Sequence, residues 1–101
     1  MDSERHHLTP LLEPKTIAII GASEKEGSIG ALLARNMLDA DYKGKLYFVN
    51  PGYRTLFGHP CHASVGEIPL RLDVAAICTK PQRVPNIVEA CGRAGTRNII
   101  V

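Results

Sequence analysis

The chain lacks any stretch of ~18 consecutive apolar residues, so it offers no candidate for a membrane-spanning helix. Residues 1–7 lack the basic and then apolar order of a secretory leader. Charge of one sign is also missing. The formal net charge is +2 and the pI is near 8.5. Lys and Arg are scattered rather than gathered into a stripe, which argues against nucleic acid as a partner. Cysteine is scarce: Cys61, Cys78 and Cys91 are 3 in number, odd and widely spaced. Two of them sit in apolar segments, and the simple reading is reduced thiols in a cytoplasmic protein. Repeats and low-complexity tracts are absent.

What is present suits one folded domain. The chain has 101 residues, and 45% of them are hydrophobic, enough for a core and too many for bulk disorder. A domain of this size buries roughly two-thirds of its unfolded surface. Residues 1–14 are expected to form a polar tail and a short helical turn carrying Leu8, Leu11 and Leu12. The domain proper is expected over 15–101.

Thr16 to Ile20 is a short, β-branched apolar run stopped by Gly21, the pattern of a strand buried on both faces. Ser28 is placed to cap a helix over 29–39, with Ile29, Leu32, Leu33 and Met37 near helical spacing. A second strand is expected at 46–49, ended by the Asn50-Pro51-Gly52 turn. Residues 53–72 show no long periodic element. Ser64 and Glu67 have the spacing of a capping box around one helical turn. A third strand is expected at 73–78. A helix with Pro85 in its first turn should run to Ala94, closed by Gly95 in the left-handed conformation. A fourth strand is expected at 98–101. This order predicts an α/β, Rossmann-like parallel sheet with flanking helices and right-handed crossovers. An ending on an apolar strand leads us to expect a piece of a longer protein, cut after the fourth strand.

The chemistry is expected in the loop after the first strand, from Gly21 to Gly30. Gly21 allows a sharp turn, and Ala22 and Ser23 are small enough for a ligand to approach the backbone. The N-terminus of the following helix favours an anion. Ser23, Lys25 and Ser28 add donors for phosphate, and Gly30 permits close helix-to-sheet packing. The loop is not a P-loop, because no Gly-Lys-Ser/Thr closes it, and it departs from the strict dinucleotide fingerprint. An NAD site also calls for an Asp or Glu at the end of the second strand. Val49-Asn50-Pro51 stands there instead, and the nearby Arg54 suits an extra phosphate, as in coenzyme A or NADP.

Other groups read more plainly. His59-Pro60-Cys61-His62 matches no standard zinc spacing and is expected to be a surface loop. Cys78 and Cys91 are expected in the core, Arg93 and Arg97 on the outer face, and Glu24 and Glu26 as solubilising charges. Lys80 suits an anion contact or an ordinary solvated position.

Seven segments occur together in order: Ile19-Ile20-Gly21-Ala22-Ser23, Gly27-Ser28-Ile29-Gly30, Gly44-Lys45-Leu46-Tyr47, Val49-Asn50-Pro51, Leu56-Phe57-Gly58, Ile68-Pro69 and Leu72-Asp73-Val74-Ala75. As a set, these resemble the coenzyme A-binding domain of ADP-forming acyl-CoA synthetases, including the succinyl-CoA synthetase alpha type. The same domain opens the protein lysine acetyltransferases in which a synthetase-like region is fused to a GNAT domain. Ile77-Cys78-Thr79 leans toward that branch.

The resemblance implies coenzyme A or acetyl-CoA as the ligand, with Gly21, Ala22 and Ser23 along its phosphates. The turn at Asn50 and Pro51 would meet the adenosine and its 3′-phosphate. The family often carries Lys where this chain has Gly52, so Tyr53 or Arg54 would have to substitute. Thr79 and Lys80 would flank the site from the other side. The synthetases work through a phosphorylated histidine in a later domain. The chain is therefore expected to bind without catalysing and to act with downstream synthetase or GNAT domains. An NAD(P)-binding domain of an oxidoreductase or redox sensor is the alternative, and a regulatory scaffold of the same fold is a third reading.

Overall fold

The computed structural model describes residues 15–40 and 42–101. The tail and helical turn expected at 1–14 lie outside the described residues. The elements are β1 (Thr16–Ile20), α1 (Ile29–Asp39), β2 (Lys45–Val49), β3 (Thr55–Leu56), β4 (His59–His62), a 3₁₀ turn (Val65–Glu67), β5 (Val74–Ile77), a 3₁₀ turn (Pro81–Arg83), α2 (Val84–Arg93) and β6 (Asn98–Ile100). The six strands form one sheet in the order β3-β4-β2-β1-β5-β6, parallel except for the β3–β4 pair. This is the expected α/β, Rossmann-like architecture.

β1 is central because it is apolar on both sides. Ala18 and Ile20 face one core with Val49, Ala75, Ile77 and Cys91. Ile19 faces the other with Phe48, Leu56 and Ala34. Period-two alternation thus divides one strand between two layers. α1 covers the second face, and α2 with the Val65–Glu67 turn covers the first. Register is direct: Thr16 pairs Lys45 and Ile20 pairs Val49 on one side, while Ile20 pairs Ile77 on the other. The carboxyl ends of β1, β2 and β5 therefore finish level.

The helix ends follow local chemistry. Ser28 is the N-cap of α1; its Oγ accepts the Ala31 N–H at 3.1 Å and donates to the Lys25 carbonyl at 2.8 Å. α2 ends as expected at Gly95, with φ +78°. The Gly95 N–H donates to the Gly92 carbonyl and the Thr96 N–H to the Cys91 carbonyl, the Schellman arrangement.

Four expectations change. Ile29 and Leu32 do not face the core; they are 72% and 62% exposed. The buried positions of α1 are Gly30, Ala31 and Ala34, because the helix approaches the β1 turn too closely for larger side chains. The four expected strands become six, because β3 and β4 form a short hairpin within 53–72, where no long periodic element was expected. Its turn is Phe57-Gly58, with φ of 49° and 80°, as the type I′ turn requires. His59–His62 is accordingly a strand beside β2, not a surface loop. Finally, Ser64 makes no side-chain cap, and the turn after it closes through the Glu67 N–H to the Ser64 carbonyl. No helix among the described residues is long and apolar enough to cross a membrane.

Candidate functional site at the carboxyl edge of the sheet

The chain leaves β1 toward the α1 face and leaves β5 toward the α2 face. The two loops part, and a crevice opens at the carboxyl ends of the strands, the general place for ligands in open α/β sheets. Gly21 stands at its floor. Its N–H donates to the Val49 carbonyl at 2.8 Å and its φ is +90°. A Cβ there would lie 2.8 Å from the Cys78 carbonyl oxygen and 2.9 Å from Thr79 Cγ2. The position accepts glycine alone, both for its left-handed φ and for the lack of space.

Gly30 supplies the second close approach. A Cβ on it would stand 3.1 Å from the Gly21 carbonyl carbon and closer still to its oxygen. The N-terminus of α1 is thereby pressed against the turn that follows β1. Its first N–H groups have no carbonyl one turn earlier in the helix. Together with the helix dipole they favour an anion.

The loop is held by a hydroxyl network. Tyr53 OH lies 3.3 Å from Ser23 Oγ and accepts the Glu24 N–H at 3.2 Å. Ser23 Oγ also accepts the Lys25 N–H at 2.9 Å. Two hydroxyls sharing one mutual bond leave one O–H for a ligand, whichever of them donates to the other. The Glu24 carboxylate accepts the Phe57 N–H at 2.8 Å, which ties the loop to the β3–β4 hairpin. Glu24 is therefore a structural acceptor and more than a solubilising charge.

Asn50 is used inside the protein. Its Nδ2 donates to the Ala22 carbonyl at 2.9 Å and its Oδ1 accepts the Gly52 N–H at 2.8 Å. The Ala22 side chain is fully buried in the α1-side core, so only its backbone can face a ligand. Where a dinucleotide site would hold a carboxylate, this chain has an amide already spent on the loop.

A pocket of about 430 Å³ lies in the crevice on the α2 side. Of the residues expected at the site, Gly21, Asn50, Pro51 and Thr79 line it. Ser23, Lys25, Ser28 and Tyr53 belong to the adjoining loop and its brace. Arg54 and Lys80 are exposed and are not part of the lining. Sequence reasoning missed Ser64, Arg83 and Asn86, which do line the pocket. The signal for the last two was their place just after Thr79-Lys80-Pro81, at the start of a helix that begins beyond a strand's carboxyl end.

The cysteines are structural: the Cys61 thiol donates to the Asn50 carbonyl at 3.6 Å, and the Cys78 carbonyl packs against Gly21. Burial pushes the thiols of Cys61, Cys78 and Cys91 up from their ordinary range. Raised thiols are poor nucleophiles and poor metal ligands. Among the described residues no group of three or more His, Cys, Asp or Glu could hold a metal ion.

A glycine turn, a helix N-terminus and an apolar pocket at the switch of a parallel sheet define a Rossmann-like nucleotide-binding domain. The family model "CoA binding domain" matches residues 15–101, and the chain belongs to that family. It is 41% identical over 91 residues to acetate–CoA ligase [ADP-forming] I of Archaeoglobus fulgidus, covering 90% of this chain and 13% of the relative. It is 37% identical over 93 residues to 4-hydroxybutyrate–CoA ligase [ADP-forming] of Nitrosopumilus maritimus, covering 92% of this chain and 13% of the relative. The chain thus spans about one-eighth of these relatives' length. Among solved structures, it matches the dinucleotide-forming acetyl-coenzyme A synthetase 1 of Ca. Korarchaeum cryptofilum, in complex with phosphate and ADP. That match has a TM-score of 0.89 and 36% identity, covering 93% of this chain and 20% of the other. The ligand class is coenzyme A, and the NAD(P) alternative is not favoured.

Proposed function

We propose that this chain holds the nucleotide end of coenzyme A or acetyl-CoA across the carboxyl edge of its sheet. The pyrophosphate lies on the turn Gly21-Ala22-Ser23 and the first N–H groups of α1. The Ser23–Tyr53 pair supplies its remaining O–H, and Lys25 screens the charge. The adenosine enters the pocket between Pro51 and Thr79. Ser28 and Asn50 act indirectly, one by capping α1 and the other by fixing the Ala22 carbonyl. Arg54 and Lys80 contribute field at the rim.

The observation that carries this reading is the Asn50 amide bound to the Ala22 carbonyl. It closes the β2 turn without offering a carboxylate to ribose hydroxyls. The chain's role is positional: fixing the nucleotide leaves the thiol arm to reach another domain, where the reaction takes place. Residues 15–101 form the binding module. The larger protein is an acyl-CoA synthetase of the ADP-forming type or a lysine acetyltransferase with a GNAT domain, working in the cytoplasm without nucleic acid or membrane partners. The short share of the relatives' length that the chain spans supports such a modular role.

Calorimetric titration of the chain with CoA, acetyl-CoA, NAD and NADP tests the reading. CoA and acetyl-CoA are expected to bind best, and tighter binding of NAD overturns it. Ser23→Phe is expected to abolish CoA binding; unchanged affinity would remove the loop from the phosphate site.

A further inference from the structure

Arg83 ends the 3₁₀ turn Pro81–Arg83 and leads directly into α2; its φ −92° and ψ −16° are helical, and the extended residue before the turn is Lys80. Its guanidinium stands near the positive end of the helix dipole, where it adds to the field that favours an anion. Among the described residues, its side chain has no hydrogen bond and no ion pair. Only its backbone is engaged, through the N–H to the Lys80 carbonyl at 2.9 Å.

Among the described residues, Arg83 is also the one charged residue in the lining of the carboxyl-edge pocket, and no described carboxylate lines it. Arg54, the cation nearest in sequence to the β2 turn, is absent from the lining, and so is Tyr53. An unpaired guanidinium and a helix N-terminus at one mouth define a place for a compact dianion.

Resting on the adenosine placement proposed above, we infer that Arg83 is the specificity-determining residue for the ribose phosphomonoester of the ligand. It separates coenzyme A from dephospho-coenzyme A. The guanidinium offers a planar fork to two phosphate oxygens, a geometry that Lys cannot copy in full.

Calorimetry of the chain with CoA and with dephospho-CoA tests this. The wild type is expected to prefer CoA by about tenfold or more, the size of one charge-assisted contact. Arg83→Gln is expected to bring CoA affinity down to that of dephospho-CoA and to leave the latter unchanged. Arg83→Lys should restore part of the preference, and added salt should erode it. Lys45→Gln, at the exposed start of β2 and so at the end of the sheet opposite the site, is expected to keep the full preference. Because the Arg83 side chain is exposed and, among the described residues, makes no hydrogen bond or ion pair, the variants should fold, and unchanged circular dichroism checks this. A preference that survives Arg83→Gln, or an equal loss for both ligands, overturns the assignment. A wild type that binds neither ligand instead overturns the coenzyme A site itself.

Discussion

Gly30→Ala sets two effects against each other. Helix propensity favours the change, since Ala in place of Gly within a helix is worth roughly 0.5–1 kcal/mol. Packing opposes it. The new Cβ would meet the Gly21 carbonyl, with the carbonyl carbon 3.1 Å away and Ala22 Cα 3.4 Å away. No flexible side chain can yield there, because the obstacle is backbone. Gly21 cannot retreat: its N–H is bonded to Val49 and its other side closes on Cys78. Overpacking of this kind costs about 1–3 kcal/mol, and a rigid obstacle places it at the upper end. The net expectation is a destabilisation of about 2 kcal/mol. For a domain of this size that lowers the melting temperature by roughly 10 °C and the urea midpoint by about 1 M at unchanged slope. CoA affinity should fall too, because α1 and the phosphate turn move apart. Gly92→Ala is the matched control, as a Cβ there meets nothing within 4 Å. It is expected to be neutral or to stabilise by up to about 1 kcal/mol. A Gly30→Ala protein as stable as the wild type would refute the close approach and the site built on it.

Tyr53→Phe removes the hydroxyl that holds Ser23 and the Glu24 N–H and keeps the ring. CoA affinity should fall by roughly tenfold, equivalent to about one hydrogen bond to a loop that must be ordered, with little change in melting temperature. An unchanged titration would count against the brace. The thiols fix a pH dependence. Burial raises Cys61, Cys78 and Cys91 in the folded chain, so the unfolded chain loses these protons first as pH rises. Their contribution is complete below the ordinary thiol range, near ~8.5, and is lost above it. The urea midpoint should therefore decline between neutral pH and pH ~10, and a constant midpoint would contradict the burial. Fully buried Cys91 should react with a thiol reagent only after unfolding.

Much of this is legible from local pattern. The run Thr16–Ile20 must be a buried strand, because its residues are apolar on both sides and Gly21 ends it. Ser28 and Gly95 mark helix boundaries because a cap and a left-handed turn are satisfied within a few residues. The β3–β4 hairpin is not legible. β3 has 2 residues, and β4 carries Pro60 and two histidines. It exists because β2 offers Phe48 and Val49 for pairing and because Glu24, 33 residues away, anchors its turn.

The same division holds at the site. By itself the sequence determined that a glycine turn and a helix start would follow a buried strand, and that no carboxylate stands after β2. Those features depend on neighbours along the chain. Only the tertiary structure decided that Ala22 is core, that Asn50 is spent on the Ala22 carbonyl, and that Arg83 rather than Arg54 lines the pocket. These depend on β1, β2 and β5 ending level and on helices leaving opposite faces, which brings residues from distant segments to one edge. Spacing along the chain carries no record of that distance.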